Sequence, residues 1–405
     1  MIPVAEARAR ILAALAPVPV EWVALADAFG RVLAEPVFAR RTQPPFDVSA
    51  MDGWAVRASD VAALPARLRI TGAVRAGTMP EAPIGMGGAM RIFTGAPLPS
   101  GADTIVLQED AATDGDFVTV IEAPAAGRHI RRKGLDLAEG SVVASAGRRL
   151  SARDIALIAA ANVPWVAVRR RPRIGLLSTG DELVRPGEPI GPSQIVSTNG
   201  LALSALVRAA GGDPVDLGIA ADEPAALLRG AAAAAGCDLL VTLGGASVGD
   251  HDLVRPVLAQ GGSSLDFWKI AMRPGKPLMF GRIGAMPLLG LPGNPVSSYV
   301  CALVFLLPAL AVLSGAEPGG DGSVILPLGV AMPAGDQRQD YVRARIRIGA
   351  NGRDEVVPAQ VQDSSMLSVL AGADGLIVRP PLAAPATTGD PVPVLLFRTP
   401  MPSGA

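Results

Sequence analysis

Cysteine is scarce. The chain of 405 residues holds two, Cys237 and Cys301, both in apolar surroundings. Their spacing suggests neither a disulfide framework nor a zinc site, which excludes a small cross-linked secreted fold and fits a reducing compartment. A cytoplasmic protein is therefore expected. Net charge is nearly absent as well. At −1 the chain lacks the basic excess by which proteins hold nucleic acid through bulk electrostatics, so any bound anion must be held by local groups. A basic leader is missing from the first fifteen residues, which carry Glu6 and read as an amphipathic helix. Lysine is rare: Lys133, Lys269 and Lys276 are the only ones. No internal repeat or low-complexity tract appears beyond an alanine bias that suits helices.

Long apolar runs are also lacking, with one exception. From Val296 to Leu313 the chain carries no charge, long enough to be weighed as a membrane span. Pro308 interrupts it, Ser297 and Ser298 open it, and no Lys or Arg flanks it closely. The expectation is a buried core or dimer-interface helix and no membrane contact.

An apolar fraction of 50% allows a substantial core, and the length suits about two to four domains. Residues 1–40 read as helices. From Arg41 to about Glu139, short apolar runs such as Thr104-Ile105-Val106-Leu107 alternate with Gly and Pro, which predicts a β-rich domain. Ser151 with Asp154 three residues on predicts a capped helix. Strands then alternate with helices: Arg173–Ser178, helix Asn199–Ala210, strand Pro214–Ile219, helix Glu223–Ala235, strand Asp238–Leu243. That grammar predicts a doubly wound, mostly parallel α/β sheet covered on both faces. Past Gly319 strands return, as a small terminal β-domain of the barrel-like kind. The expected organisation is a helical linking region at 1–40 and 140–170, a β-rich domain at 41–139, an α/β domain at 171–318 and a C-terminal β-domain at 319–405.

In an open α/β sheet, ligands collect beyond the C-terminal ends of the strands. Three polar clusters fall there: Ser178-Thr179-Gly180-Asp181-Glu182, then Gly244-Gly245-Ala246-Ser247-Val248-Gly249-Asp250-His251-Asp252, then Leu291-Pro292-Gly293-Asn294-Pro295-Val296-Ser297-Ser298. Glycine-rich turns let backbone N–H groups approach an anion, and a helix N-terminus adds partial positive charge. Gly-Asp and Pro-Gly turns are ordinary loop chemistry one at a time; three at equivalent strand ends are not. Between the last two clusters, Phe267 to Pro277 sets Lys269, Arg273 and Lys276 in an apolar, proline-stiffened frame. That suits a small multivalent oxyanion or a pyrophosphate. Glu182, Asp222 and Asp252 follow strands of the same sheet, and such carboxylates suit Mg²⁺, which prefers oxygen ligands and phosphate. His251 between two aspartates reads as a bystander.

In this order the motifs resemble the molybdopterin molybdenumtransferase family (the MoeA type, which includes the E domain of gephyrin). The residues that carry the resemblance are PPFDVSAMDGWAVR at 44–57, RIFTGAPLPSGAD at 91–103, HIRRKGLDL at 129–137, LLSTGDEL at 176–183, LGGASVGDHD at 243–252, FWKIAMRPGKP at 267–277 and LGLPGNPVSS at 289–298. QDSSMLSVLAGADGLIVRP at 362–380 extends it to the last domain. The resemblance implies four domains and an elongated homodimer whose active cleft lies between the molybdopterin-binding α/β domain of one subunit and the β-rich domain of the other. It implies that adenylylated molybdopterin and molybdate give the molybdenum cofactor and AMP, with a divalent cation such as Mg²⁺. It assigns Asp52, Thr94, Arg131 and Asp136 to the β-rich side. Glu182, Asp222 and Asp252 fall to metal and pyrophosphate, and Lys269, Arg273, Lys276 and Ser297 to the anions. Pro292 and Pro295 shape the loop, and Arg343 and Ser364 lie toward molybdate.

The chain departs from the family pattern in places. Arg273 stands where Lys is usual, keeping charge but exchanging a point cation for a planar fork. Val48 and Trp54 replace Asn and Tyr around SAMDG, and Asp363 and Ser365 stand where Gly and His are common. Two other functions fit parts of the chain: molybdopterin adenylyl transfer, usually a single small domain, and a non-catalytic scaffold of the gephyrin type. The flanking domains and the retained carboxylates and lysines favour metal insertion.

Overall fold

The computed structural model describes residues 1–122, 124–245, 264–316, 322–350 and 352–397. Helix Val4–Ala13 opens the chain and turns Val4, Ala7 and Ile11 inward. They join the core of the α/β domain, beside Leu203, Val300 and Phe305. Fully burying a side chain such as Ile11 is worth about 2 kcal/mol. Ile2 bridges Ile270, so the N-terminus lies along the cationic segment.

The helical reading of residues 1–40 holds only for this first part. Val20–Ala24 is a strand, antiparallel to Trp165–Arg169, and Val37–Phe38 pairs with Val142–Ala144. Pro17 and Pro19 end helical propagation. The Val-Glu-Trp-Val run that follows suits a pleated surface better than a helix. Helix Ala152–Ala160 carries the full capping box, with Ser151 and Asp154 each bonding the other's backbone amide.

The β-rich domain is one six-stranded sheet in the order Thr104–Leu107, Gly53–Val56, Gly88–Ile92, Ala66–Val74, Phe117–Val120, Ala111–Asp114. Its second strand begins at Gly53, where a Cβ would lie 2.0 Å from the carbonyl oxygen of Val106. Only glycine fits so close an approach.

The α/β domain is also built on six strands: Asp213–Ala220, Arg173–Thr179, Leu239–Leu243, Met286–Leu291, Met279–Ile283 and Ser264–Trp268. The first four run parallel and the last two form an antiparallel meander. One face packs on the N-terminal helix, Asn199–Ala209 and the apolar helix; the other packs on Pro224–Ala233. The apolar helix runs Pro295–Leu313 with mean hydropathy 2.3, and 67% of that stretch is buried inside the protein. Pro308 does not end it. The π-helical turn Ala302–Leu306 precedes the proline and accommodates its missing N–H and its ring.

The C-terminal sheet contains Gln339–Ile348, Gly375–Arg379, Pro391–Leu396, Ser323–Pro327 and Asp354–Pro358. A bridge from Leu328 to Val356 curls it toward a half-barrel. Its far edge is borrowed: Met272–Arg273, from the cationic segment, pairs in parallel with Gln339 and Asp340.

Candidate active site

Parallel strands Arg173–Thr179, Leu239–Leu243 and Met286–Leu291 lie side by side, so the loops after them open at one edge of the sheet. A cleft of about 590 Å³ occupies that edge. The first strand and its loop supply Ser178, Thr179 and Glu182; the second supplies Gly244 and Gly245. The third supplies Pro292, Gly293, Asn294 and Pro295, and Asp222 enters after Asp213–Ala220. These sequence-predicted residues are brought together as expected. Ser247, Gly249, Asp250, His251 and Asp252 lie outside the described residues.

The local geometry follows from the residue types. Gly244 holds φ +107°, and a Cβ there would come within 2.7 Å of the Thr179 carbonyl oxygen. Glycine alone lets these two strand ends close on each other. Gly244→Ala is accordingly expected to lower stability by about 1–3 kcal/mol; thermal unfolding checks this, and an unchanged melting temperature contradicts the close approach. Thr179 Oγ1 is buried and has no hydrogen-bond partner among the described residues. Pro295 occupies the first turn of the long helix and Asn294 its N-cap position. The Asn294 side chain does not cap, however. Its Nδ2 donates to Ser364 Oγ at 3.0 Å, and the Val296 N–H donates to the Ser364 carbonyl at 3.2 Å. The loop from the last domain therefore occupies part of the helix N-terminus that the sequence suggested was open to anions.

Two further assignments shift. Ser297 is 5% exposed and is not among the residues lining the cleft. Arg343 is buried; its Nε donates to Gln362 Oε1 at 3.3 Å and its Nη1 to the Met366 carbonyl at 3.2 Å. It braces the 362–366 loop that carries Ser364 and does not line the cleft. Burial lowers its pKa, against the pull of Asp363. The Asp363 carboxylate is in turn engaged by the hydroxyl and amide of Ser365, at 2.6 and 2.8 Å. Those two bonds hold its pKa below the usual value.

The cationic segment reaches the cleft wall only through Pro277. Lys269 sits at φ +87° with its ammonium 4.2 Å from the Trp268 ring centroid, and the Lys276 carbonyl accepts from the amides of Ile270 and Leu278. Arg273 is turned the other way. Its Nη2 donates to Asp340 Oδ2 at 2.6 Å and its Nη1 to Asp336 Oδ2 at 3.5 Å. One planar fork thus engages two carboxylates of the last domain, which a lysine point charge does less well. Arg273 is a clamp between domains in this structure, and the expected free anion-binding cation is not seen there.

Mg²⁺ commonly takes one or two carboxylates and completes its shell with substrate phosphates and water. Glu182 and Asp222 on one cleft, with Thr179 Oγ1 unpartnered beside them, fit that pattern. Among the described residues no group of three acidic or metal-ligating side chains lies together; Asp252, the third predicted carboxylate, is outside them.

The second group of predicted residues lies on the β-rich domain. Asp52 accepts the amide and the hydroxyl of Thr94, at 2.7 and 2.8 Å. These bonds, with the charge of Arg91 beyond them, hold the Asp52 carboxyl below the usual aspartate value. A depressed folded value means that the stabilisation is present above the unfolded pKa and is lost as pH falls through the folded one. Arg131 and Asp136 line a separate cleft of about 380 Å³ with Arg41, Phe46 and Gly95. No described residue lines both clefts. None of Asp52, Thr94, Arg131 and Asp136 lines the larger cleft. Sequence reading missed Asn199 and Ser365, which line the larger cleft. The Ser197-Thr198-Asn199 run before a helix was the available signal for the first, and Asn199 Nδ2 donates to the Gly293 carbonyl at 2.7 Å.

Comparisons with known proteins agree with this architecture. Family models described as the MoeA N-terminal region (domain I and II), a probable molybdopterin binding domain and the MoeA C-terminal region (domain IV) match residues 2–162, 175–312 and 326–397. The chain is 41% identical over 307 residues to a molybdopterin molybdenumtransferase of Nostoc sp., covering 74% of this chain and 70% of that one. It is 34% identical over 384 residues to the molybdopterin molybdenumtransferase of Haemophilus influenzae, covering 93% and 94%. A solved structure of the molybdopterin biosynthesis moeA protein from Pyrococcus horikoshii is similar with TM-score 0.84 and 27% identity, over 98% of this chain and 100% of that one.

Proposed function

We propose that this chain, which belongs to the molybdopterin molybdenumtransferase family, inserts molybdate into adenylylated molybdopterin and releases AMP at the cleft above its parallel strands. The observation that carries this reading is the convergence of Glu182, Asp222, the Gly244-Gly245 turn and the Pro292–Pro295 loop on one cleft. The Gly244 N–H donates to the Leu291 carbonyl at 3.1 Å and holds the turn, which leaves the Gly245 amide to approach a pyrophosphate. Glu182 and Asp222 would hold Mg²⁺, which when bound offsets negative charge on the phosphates. Lys269 and Lys276 belong to the segment whose Pro277 lines the cleft, and their ammoniums would supply positive charge for a second anion, molybdate. The Ser364–Ser365 turn, braced by Arg343, closes that side. Water adds to one phosphorus of the pyrophosphate linkage, one P–O bond breaks and AMP departs. The dithiolene sulfurs then replace oxygen on molybdenum, and the displaced oxygen leaves as water.

Asp52, Thr94, Arg131 and Asp136 enter the same site from a second copy of the chain. That none of the four lines the main cleft of its own chain supports this, as does an apolar surface suited to a homodimer. Val20, Trp22 and Trp165 are 44%, 62% and 55% exposed on the paired strands of the small domain, a feature of interaction surfaces.

The test uses purified full-length chain with adenylylated molybdopterin and molybdate. Stoichiometric AMP and molybdenum cofactor are expected, with no product from ATP and unmodified molybdopterin. Adenylylated product from ATP would make the chain an adenylyltransferase, and silence in both assays would leave the scaffold reading.

A further inference from the structure

The sheet of the β-rich domain carries a ladder of aromatic and cationic side chains that the reaction above does not use. Arg91, on strand Gly88–Ile92, stands opposite Trp54 on Gly53–Val56. Its guanidinium carbon lies 5.4 Å from the Trp54 ring centroid and 5.2 Å from that of Phe93. Arg75 covers Phe93 in turn, at 5.8 Å. The Arg91 guanidinium donates to the Gly53 carbonyl at 3.3 Å and to Gln108 Oε1 at 2.6 Å. The backbone N–H of Gln108 donates to the carbonyl of Asp52 at 3.3 Å. Among the described residues no carboxylate lies within salt-bridge distance of Arg91, although its charge acts on Asp52 from farther away.

These contacts bracket one residue. Gly53 follows Asp52 in the chain, Gln108 takes the Asp52 carbonyl, and Phe93 precedes Thr94, whose amide and hydroxyl hold the Asp52 carboxylate. All three neighbours touch the same guanidinium. Trp54 is 5% exposed, so the stack rests on the domain's packed interior. Gly53 cannot be exchanged for a larger residue that would hold the turn by itself, because of its approach to Val106.

We propose that Arg91 is a positioning residue: its planar fork and its contacts with two aromatic rings lock the Asp52–Gly53 turn to the Phe93–Thr94 segment, and so fix where the Asp52 carboxylate is presented. This rests on the reading of Asp52 as a site residue. The shape of guanidinium matters here as much as its charge. It binds two acceptors at fixed angles while stacking on rings, whereas an ammonium can satisfy one of these demands at a time. Two aromatic rings, Trp54 and Phe93, lie within 5.4 Å of the Arg91 guanidinium carbon.

The experiment compares Arg91→Gln, Arg91→Lys, Asp52→Asn and the Arg91→Gln/Asp52→Asn double variant in full-length protein, reading kcat and the KM for molybdate. Displacing a positioned group by about an ångström costs on the order of 100-fold, so Arg91→Gln is expected to lose that much in kcat. Its KM should stay within about threefold, as for an interaction made only in the transition state. Arg91→Lys should recover only part of the loss. In the Asp52→Asn background, Arg91→Gln should cost nothing more, because the two act as one unit. Near-wild-type kcat in Arg91→Gln beside an inactive Asp52→Asn overturns the proposal and leaves the Asp52 reading standing. So does a fully additive loss in the double variant. If Arg91→Gln fails to fold, wild-type kcat in Arg91→Lys overturns it equally. An active Asp52→Asn chain overturns both readings, by removing what Arg91 would position.

Discussion

Asp222→Ala is expected to lower turnover by on the order of 100-fold or more without unfolding the protein. Asp222 is exposed on the cleft that also holds Glu182, just beyond the strand Asp213–Ala220. Its backbone N–H donates to Asp181 Oδ1 at 3.1 Å, a bond that alanine keeps. The side chain belongs to no hydrophobic core cluster, so its removal opens no cavity in the interior. Its loss would leave Glu182 as the only carboxylate lining the described cleft. A cation held by one or two carboxylates and shared with phosphate depends strongly on each of them. AMP release should therefore fall steeply, and the Mg²⁺ concentration needed for half-maximal rate should rise. The melting temperature should remain that of the wild type. Wild-type turnover with an unchanged Mg²⁺ requirement would remove Asp222 from the site.

The larger cleft was legible in the sequence because parallel α/β topology does the spatial work. Strands that alternate with helices must run in the same direction, so every loop after a strand arrives at the same edge. Ser178, Gly244 and Pro292 could thus be placed together from three separate motifs with no distance information. Asp52 and Thr94 were legible only through the family resemblance, since nothing in a β-rich pattern says which turn is functional.

What sequence reading missed has a common cause: contacts made across domains. Arg273 looked like an anion ligand beside Lys269 and Lys276. Its guanidinium is claimed by Asp336 and Asp340, more than sixty positions later. No local pattern encodes that pairing. The first helix likewise read as part of a linking region, because its amphipathic face says that it is buried but not against what. Ile11 goes to the α/β core. Val20–Ala24 became a strand because Trp165–Arg169 offers it a partner. Pro308 misled in the opposite direction, as a breaker that the helix absorbs with a π-helical turn.

The central claim is that one site is built from the α/β cleft of one chain and the β-rich face of its partner. Mixing two inactive variants tests it most directly. Asp52→Asn damages the β-rich half, and Asp222→Ala damages the α/β half. When the two chains are co-expressed with different tags and assayed together, a two-fold symmetric dimer of one chain of each kind holds one doubly damaged site and one intact site. Random pairing makes half the dimers mixed, so about a quarter of wild-type activity is expected from two preparations that are each inactive alone. In the doubly tagged fraction every dimer is mixed, so recovery of about half the wild-type activity is the predicted result there. A doubly tagged dimer with no more activity than its parents would contradict the account, because both halves of the site would then have to come from the same chain.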